Sequence, residues 1–149
     1  MLRSATSLSC LVVCVVAIAA VQAGVTADAA PAVENCGTLS MGPADEVRGS
    51  TTGALCLLHA YQRHCRPAVY VLSLLGVDTT ANDRFRVVSR SGRCRVALTI
   101  SFRIVPQPAR VQSGVCARLA LRSGHVVAGR CTGSNIPASI VLNPSPQSP

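Results

Sequence analysis

Lysine and tryptophan are absent from these 149 residues, and aromatic residues make up only 3%. Charged residues are 13%, about half the usual share. Such a chain is not a disordered polar tract, because it is too rich in Val, Ile and Leu. It has neither the composition of a collagen-like repeat nor that of a coiled coil. The motifs of several enzyme classes are missing too: no G-x-S-x-G elbow, P-loop, G-x-G-x-x-G or H-E-x-x-H. Acidic residues stop at Asp83, so the last 66 residues carry ten Arg and no carboxylate side chain.

What the chain does have begins with an address. Met1 to Ala23 reads as a secretory signal peptide, with Arg3 in the n-region. An eleven-residue apolar run from Leu11 to Val21 follows, then small residues around Val21-Gln22-Ala23. A second cut is conceivable near Ala29. The apolar run is too short for a membrane span, which takes about 20 residues. Cys10 and Cys14 lie at or inside that run rather than after it, which argues against a lipoprotein. The 126 residues after Ala23 hold six cysteines: Cys36, Cys56, Cys65, Cys94, Cys116 and Cys131. An even number in an exported chain implies disulfides. Six in 126 is too few for a scaffold held mainly by its bridges, so a true hydrophobic core is expected.

The expected layout is a flexible lead at 24–35, one domain at 36–142 and a Pro/Ser tail at 143–149. Ala54, Leu57, Leu58, Tyr61 and Cys65 follow helical spacing and make one apolar stripe. Ser50 or Thr51 is the expected cap, Asp45 and Glu46 lie before the positive end, and Pro67 is the expected stop. Within one continuous helix, Cys56 and Cys65 would stand about 13.5 Å apart in rise, too far to bridge. Val69 to Leu75 reads as a buried strand, and Asp78 to Asp83 as a turn. Arg84–Arg90 and Arg93–Ile104 flank Ser91-Gly92 as a hairpin that sets Phe85 opposite Leu98 and Val87 opposite Val96. Val115–Arg122 and His125–Cys131 flank Ser123-Gly124 in the same way and set Cys116 opposite Cys131, a predicted disulfide. Ile136 to Leu142 is a weak last strand. The expected fold class is α+β, one helix packed on a mostly antiparallel sheet of five or six strands and bonded by disulfides. A small, partly open barrel is the alternative.

Candidate chemistry is sparse. No catalytic set is expected from His59, His64 and His125, and Ser123-Gly124-His125 fits a hairpin turn. Cys56, His59, His64 and Cys65 could suggest a metal, but His59 and His64 are on different helix faces and the thiols are better explained as disulfides. Asp78 and Asp83 lack the dense oxygen spacing of a calcium loop. Neither a metal nor a cofactor is expected.

The arginines say more. The first hairpin's register puts Arg84, Arg86, Arg90, Arg93, Arg95 and Arg103 on one polar face, with Arg90 opposite Arg93 and no local acid to offset them. A solvated face kept soluble by charge accounts for this. So does a docking surface, since Arg binds carboxylate, sulfate and phosphate bidentately. Candidate partners are an anionic polysaccharide, an envelope polymer, lipid headgroups or an acidic protein. Self-association through that face is a further reading, with Asp45, Glu46 or Asp78 supplied by another copy. Nucleic acid is disfavoured, because single-strand binders stack bases on aromatics and this chain has few.

The run Cys56-Leu-Leu-His-Ala-Tyr61, then Cys65-Arg-Pro-Ala68 and Gly76-Val-Asp78, resembles a group of small secreted bacterial proteins of uncharacterised function. They share a Cys…Ala-Tyr…Cys-x-Pro-Ala helix followed by strands with later cysteines. Where that group often has an aromatic after its first helix Cys, this chain has Leu57. The resemblance implies export and a disulfide-bonded fold, and no activity. The expectation is a secreted, non-enzymatic binding protein that uses the Arg face. The alternatives are an inhibitor or effector acting through the 78–83 or 106–113 loop, or a purely structural exported protein.

Overall fold

The structure, a computed structural model, describes residues 32–44 and 46–143. The expected leader, most of the lead, Asp45 and the tail beyond Asn143 lie outside the described residues. Eight strands and one helix follow in the order β1 (Glu34–Met41), β2 (Val47–Gly49), α1 (Gly53–Gln62), β3 (Ala68–Leu75), β4 (Thr79–Arg90), β5 (Arg93–Ile104), β6 (Arg110–Arg122), β7 (His125–Thr132) and β8 (Ser139–Val141). They form one sheet in the order β2-β1-β3-β4-β5-β6-β7-β8. The sheet curls into a half-barrel with the helix on its inner side.

The fold is α+β, as expected, but the sheet has eight strands rather than five or six. One addition is β2, a three-residue edge strand too short to show any alternation, while the expected last strand is present as β8, shortened to Ser139–Val141. Another is β1, which begins at Glu34, two residues before the expected domain start. It pairs with β3 in parallel, Leu39 opposite Leu72, the one parallel pair in the sheet. Parallel neighbours need a crossover connection, and α1 supplies it.

The helix is shorter than its apolar stripe suggests. It starts at Gly53, with Thr52 at the cap position and no side-chain cap bond. Neither Ser50 nor Thr51 takes the cap position, and the Ser50 N–H is tied back to β1 through the Thr38 carbonyl at 2.9 Å. The helix ends at Gln62, five residues before Pro67, where His64 and Cys65 turn to φ 55° and 60°. Cys65 therefore leaves the stripe. Its inner face buries Ala54, Leu57, Leu58 and Ala60. Each buried Leu contributes about 1.5–3 kcal/mol. Gly53 allows the helix to sit this close: a Cβ there would lie 2.5 Å from the Cys36 carbonyl oxygen and 2.7 Å from the Tyr70 ring.

Opposite the helix, Tyr70 and Phe85 are fully buried, with ring centroids 6.3 Å apart. The Tyr70 hydroxyl donates to the Leu142 carbonyl at 3.0 Å, and burial pushes its pKa up to about 12. Three disulfides bind this end of the molecule: Cys36–Cys56 from β1 to α1, Cys65–Cys94 from the helix exit to β5, and Cys116–Cys131 between β6 and β7.

Both predicted hairpins are present in the predicted registers, including Phe85 opposite Leu98 and Cys116 opposite Cys131. Each Ser-Gly turn has both residues at positive φ, as a two-residue hairpin loop requires. Both loops are shorter than the sequence suggests. Thr79–Asp83 belongs to β4 and Arg110–Ser113 to β6, which leaves short connections at 76–78 and 105–109. Asn143 belongs to the fold as well: its side-chain Oδ1 accepts the Val126 N–H at 2.6 Å.

One detail of β6 and β7 was hidden in the sequence. Leu119 and Leu121 have one parity and Cys116 the other, so a regular strand could not turn all three inward. The ladder resolves this by breaking at Ala117 and Arg130. Arg130 takes φ 53°, and buried positions step from 116 to 119 on β6 and from 128 to 131 on β7. The helix meets this break, since the Tyr61 hydroxyl donates to the Ala117 carbonyl at 3.2 Å.

Candidate anion-binding face

The paired residues Arg84–Thr99, Arg86–Ala97, Val88–Arg95, Arg90–Arg93 and Thr80–Arg103 alternate with the buried pairs Phe85–Leu98 and Val87–Val96. Arg84, Arg86, Arg90, Arg93, Arg95 and Arg103 therefore share the outer face of the sheet, away from the helix. They do not form one cluster. Arg86, Arg90, Arg93 and Arg95 gather near the β4–β5 turn. Arg103 is eight residues from Arg95, about 26 Å along an extended strand. Arg84 lines a separate open hollow of about 380 Å³ over β1 and β3, whose rim includes Glu34.

Three further arginines, outside the first hairpin, belong with the first group. Strand β6 turns Arg118, Ala120 and Arg122 outward, and β7 turns Val127, Gly129 and Arg130 to the same side. Leu119 and Leu121 alternating with Arg118 and Arg122 is a signal for the first two. Arg130 depends on the ladder break and has no such signal. The β4–β5 and β6–β7 turns lie at the same end of the sheet, because β5 and β6 run antiparallel between them. Seven guanidinium groups thus occupy one end of the outer face, across four strands that span about 14 Å.

Among the described residues no carboxylate forms a salt bridge with them. Among the described residues the one salt bridge joins Arg48 and Glu46, 2.7 Å apart on the β2 edge. Asp83 lies on the other side of the sheet, opposite Leu72 and Ile100, where burial raises its pKa and Oδ1 has no hydrogen-bond partner. Six of the seven arginines are exposed, and Arg95 is half-buried with Nη1 donating to the Cys94 carbonyl at 3.3 Å.

The residues weighed for other chemistry are used structurally or stand apart. Cys56 and Cys65 are bonded to Cys36 and Cys94, so neither offers a thiolate. The cluster Glu34, Cys36 and Cys56 brings a carboxylate beside two sulfurs, but both sulfurs belong to one disulfide. His59 and His64 are exposed on the helix and at its exit. His125 is half-buried, and its Nδ1–H donates to the Asn143 carbonyl at 2.8 Å. Among the described residues no helix is long and apolar enough to cross a membrane. Comparison with protein-family models, with curated proteins and with solved structures finds no match to this chain.

Proposed function

We propose that the chain is an exported, non-enzymatic interaction protein that docks an anionic partner outside the cell on the outer face of its sheet. The observation that carries this reading is the seven-arginine end of that face, which has no carboxylate within salt-bridge reach among the described residues. Like charges set directly opposite, as Arg90 and Arg93 are, weaken a sheet by themselves. An anionic partner relieves that repulsion and accepts paired N–H donors from each guanidinium. Export is supported by the apolar leader and by six cysteines joined in three disulfides.

The test replaces Arg86, Arg90, Arg93 and Arg95 together with Ser and measures retention on a sulfated matrix. At about 0.15 M salt, where free charges more than about 8 Å apart are screened, the wild-type chain is retained and the variant flows through. Equal retention reduces the face to a solvated one. A second reading, an inhibitor or effector acting through a loop, rests on the other end of the molecule. There Val77 is 89% exposed and Val105 56% exposed, on two turns tied by the Val105 N–H to the Asp78 carbonyl at 2.9 Å. Binding that survives the four Arg changes and is lost on replacing Val77 and Val105 favours that reading.

A further inference from the structure

The outer surface of β6 and β7 is not flat. Arg118, Arg122 and Arg130 stand with Ser139 around a hollow of about 240 Å³. Its floor is Ala120, Val127 and Gly129. Drug-sized pockets run from about 300 to 1,000 Å³, so this one has room for a single ring with its substituents. A Cβ added at Gly129 would meet nothing within 4 Å, so the missing side chain serves no internal packing need. What it leaves open is the floor of the hollow. Arg130 reaches its rim only through the ladder break at φ 53°, a conformation that costs a non-glycine residue about 1 kcal/mol or more. Irregularities of this kind re-aim side chains and gather beside functional sites. The break is braced from inside by the Tyr61 hydroxyl on the Ala117 carbonyl.

Resting on the reading of the outer face as an anion-binding surface, we infer that this hollow seats one sugar ring of an acidic polysaccharide. The rest of that chain lies across the strands toward Arg95, Arg93, Arg90 and Arg86. A pyranose ring has an apolar C–H face that fits a floor of Ala, Val and Gly. Its carboxylate or sulfate falls to the three guanidinium groups, and a ring hydroxyl to Ser139. A nucleic acid strand needs aromatic platforms for its bases. The outer face has none: Tyr70 and Phe85 are buried, Phe102 pairs across the inner face and Tyr61 is on the helix. An acidic peptide carries its carboxylates on flexible stems and does not need a ring-sized hollow.

The experiment compares two polyanions on the full exported chain at about 0.15 M salt. One is a sulfated uronate tetrasaccharide, and the other is inorganic polyphosphate of equal charge, which has no rings. Gly129→Leu fills the floor without changing any charge. It is expected to weaken tetrasaccharide binding at least about tenfold, while polyphosphate binding stays within about twofold. Ala120→Leu fills the same floor from the facing strand and gives a second reading should Gly129→Leu fail to fold. The inference is overturned if both variants bind the tetrasaccharide like wild type, if both polyanions are lost equally, or if the wild-type chain does not bind the tetrasaccharide. The two proposals fail separately. Loss of the tetrasaccharide in Gly129→Leu, with matrix retention intact in the four-Arg variant, keeps the hollow and removes the broader face. The reverse pattern keeps the face and removes the hollow.

Discussion

The two ends of the sheet obey different rules. Under the helix, the inner face is closed: Ala68, Tyr70 and Leu72 on β3 are at most 3% exposed, and Val96 and Leu98 on β5 at most 1%. Further along the same strands, Leu74 is 39% exposed, Phe102 40% and Ile104 41%. A ten-residue helix is about 15 Å long, whereas β4 and β5 run for about 40 Å. The strands simply outrun their cover. All three disulfides and the seven-arginine face lie at the covered end, which is both packed and cross-linked. Functional groups held on packed, cross-linked strands keep their spacing, so the covered end is where a charge pattern can be read by a partner.

The sharpest way to break this comparison is a pair of identical substitutions. Phe85→Ala at the covered end should cost about 3–5 kcal/mol, read by urea unfolding. Phe102→Ala at the open end should cost less than about 1 kcal/mol. Equal costs would show that something covers the open end in solution. A smaller effect separates two hydroxyls at the covered end. Tyr70→Phe strips a fully buried hydrogen bond and should cost about 1–2 kcal/mol, whereas Tyr61→Phe, in a half-buried site, should cost about 0.5–1 kcal/mol. Tyr61→Phe should also speed amide exchange around Ala117 and Arg130, because it unbraces the ladder break.

The smallest effect concerns Asp83, on the inner face where cover gives out. Burial raises its pKa above the ordinary 3.8, so the folded chain holds the proton more tightly than the unfolded chain. Protonation therefore favours the fold, and the penalty is complete only above the folded pKa. Asp83→Asn should stabilise the protein at pH 7. The gain should vanish below about pH 3, where the carboxyl is protonated in both states. A gain of the same size at both pH values would mean that the charge of Asp83 does not matter.

The open end also explains which strands were legible in advance. Strands show their period when one face is buried and the other is not. Cys94 to Leu98 and Phe85 to Val87 have that contrast because the helix lies over them. Thr79-Thr-Ala-Asn-Asp83 and Arg110-Val-Gln-Ser-Gly114 lie beyond the helix, have no core to fill, and read as loops. The arginine face followed the same logic. Its β4–β5 half could be placed from the register of one hairpin. Its β6–β7 half required knowing that two conflicting parities are reconciled at Ala117 and Arg130.

By itself the amino-acid order determined the helix stripe, two hairpins with their registers, the Cys116–Cys131 bridge and the one-sided charge after Asp83. These are local matters, fixed by torsional preference, by the two-residue period of a strand and by the short reach of a turn. Tertiary structure alone decided that β1 joins β3 in parallel, that Cys36 meets Cys56 and Cys65 meets Cys94, and that Arg118, Arg122 and Arg130 enclose a hollow. Each of those outcomes depends on where the chain returns after many residues, and that is set by which apolar surfaces can cover one another.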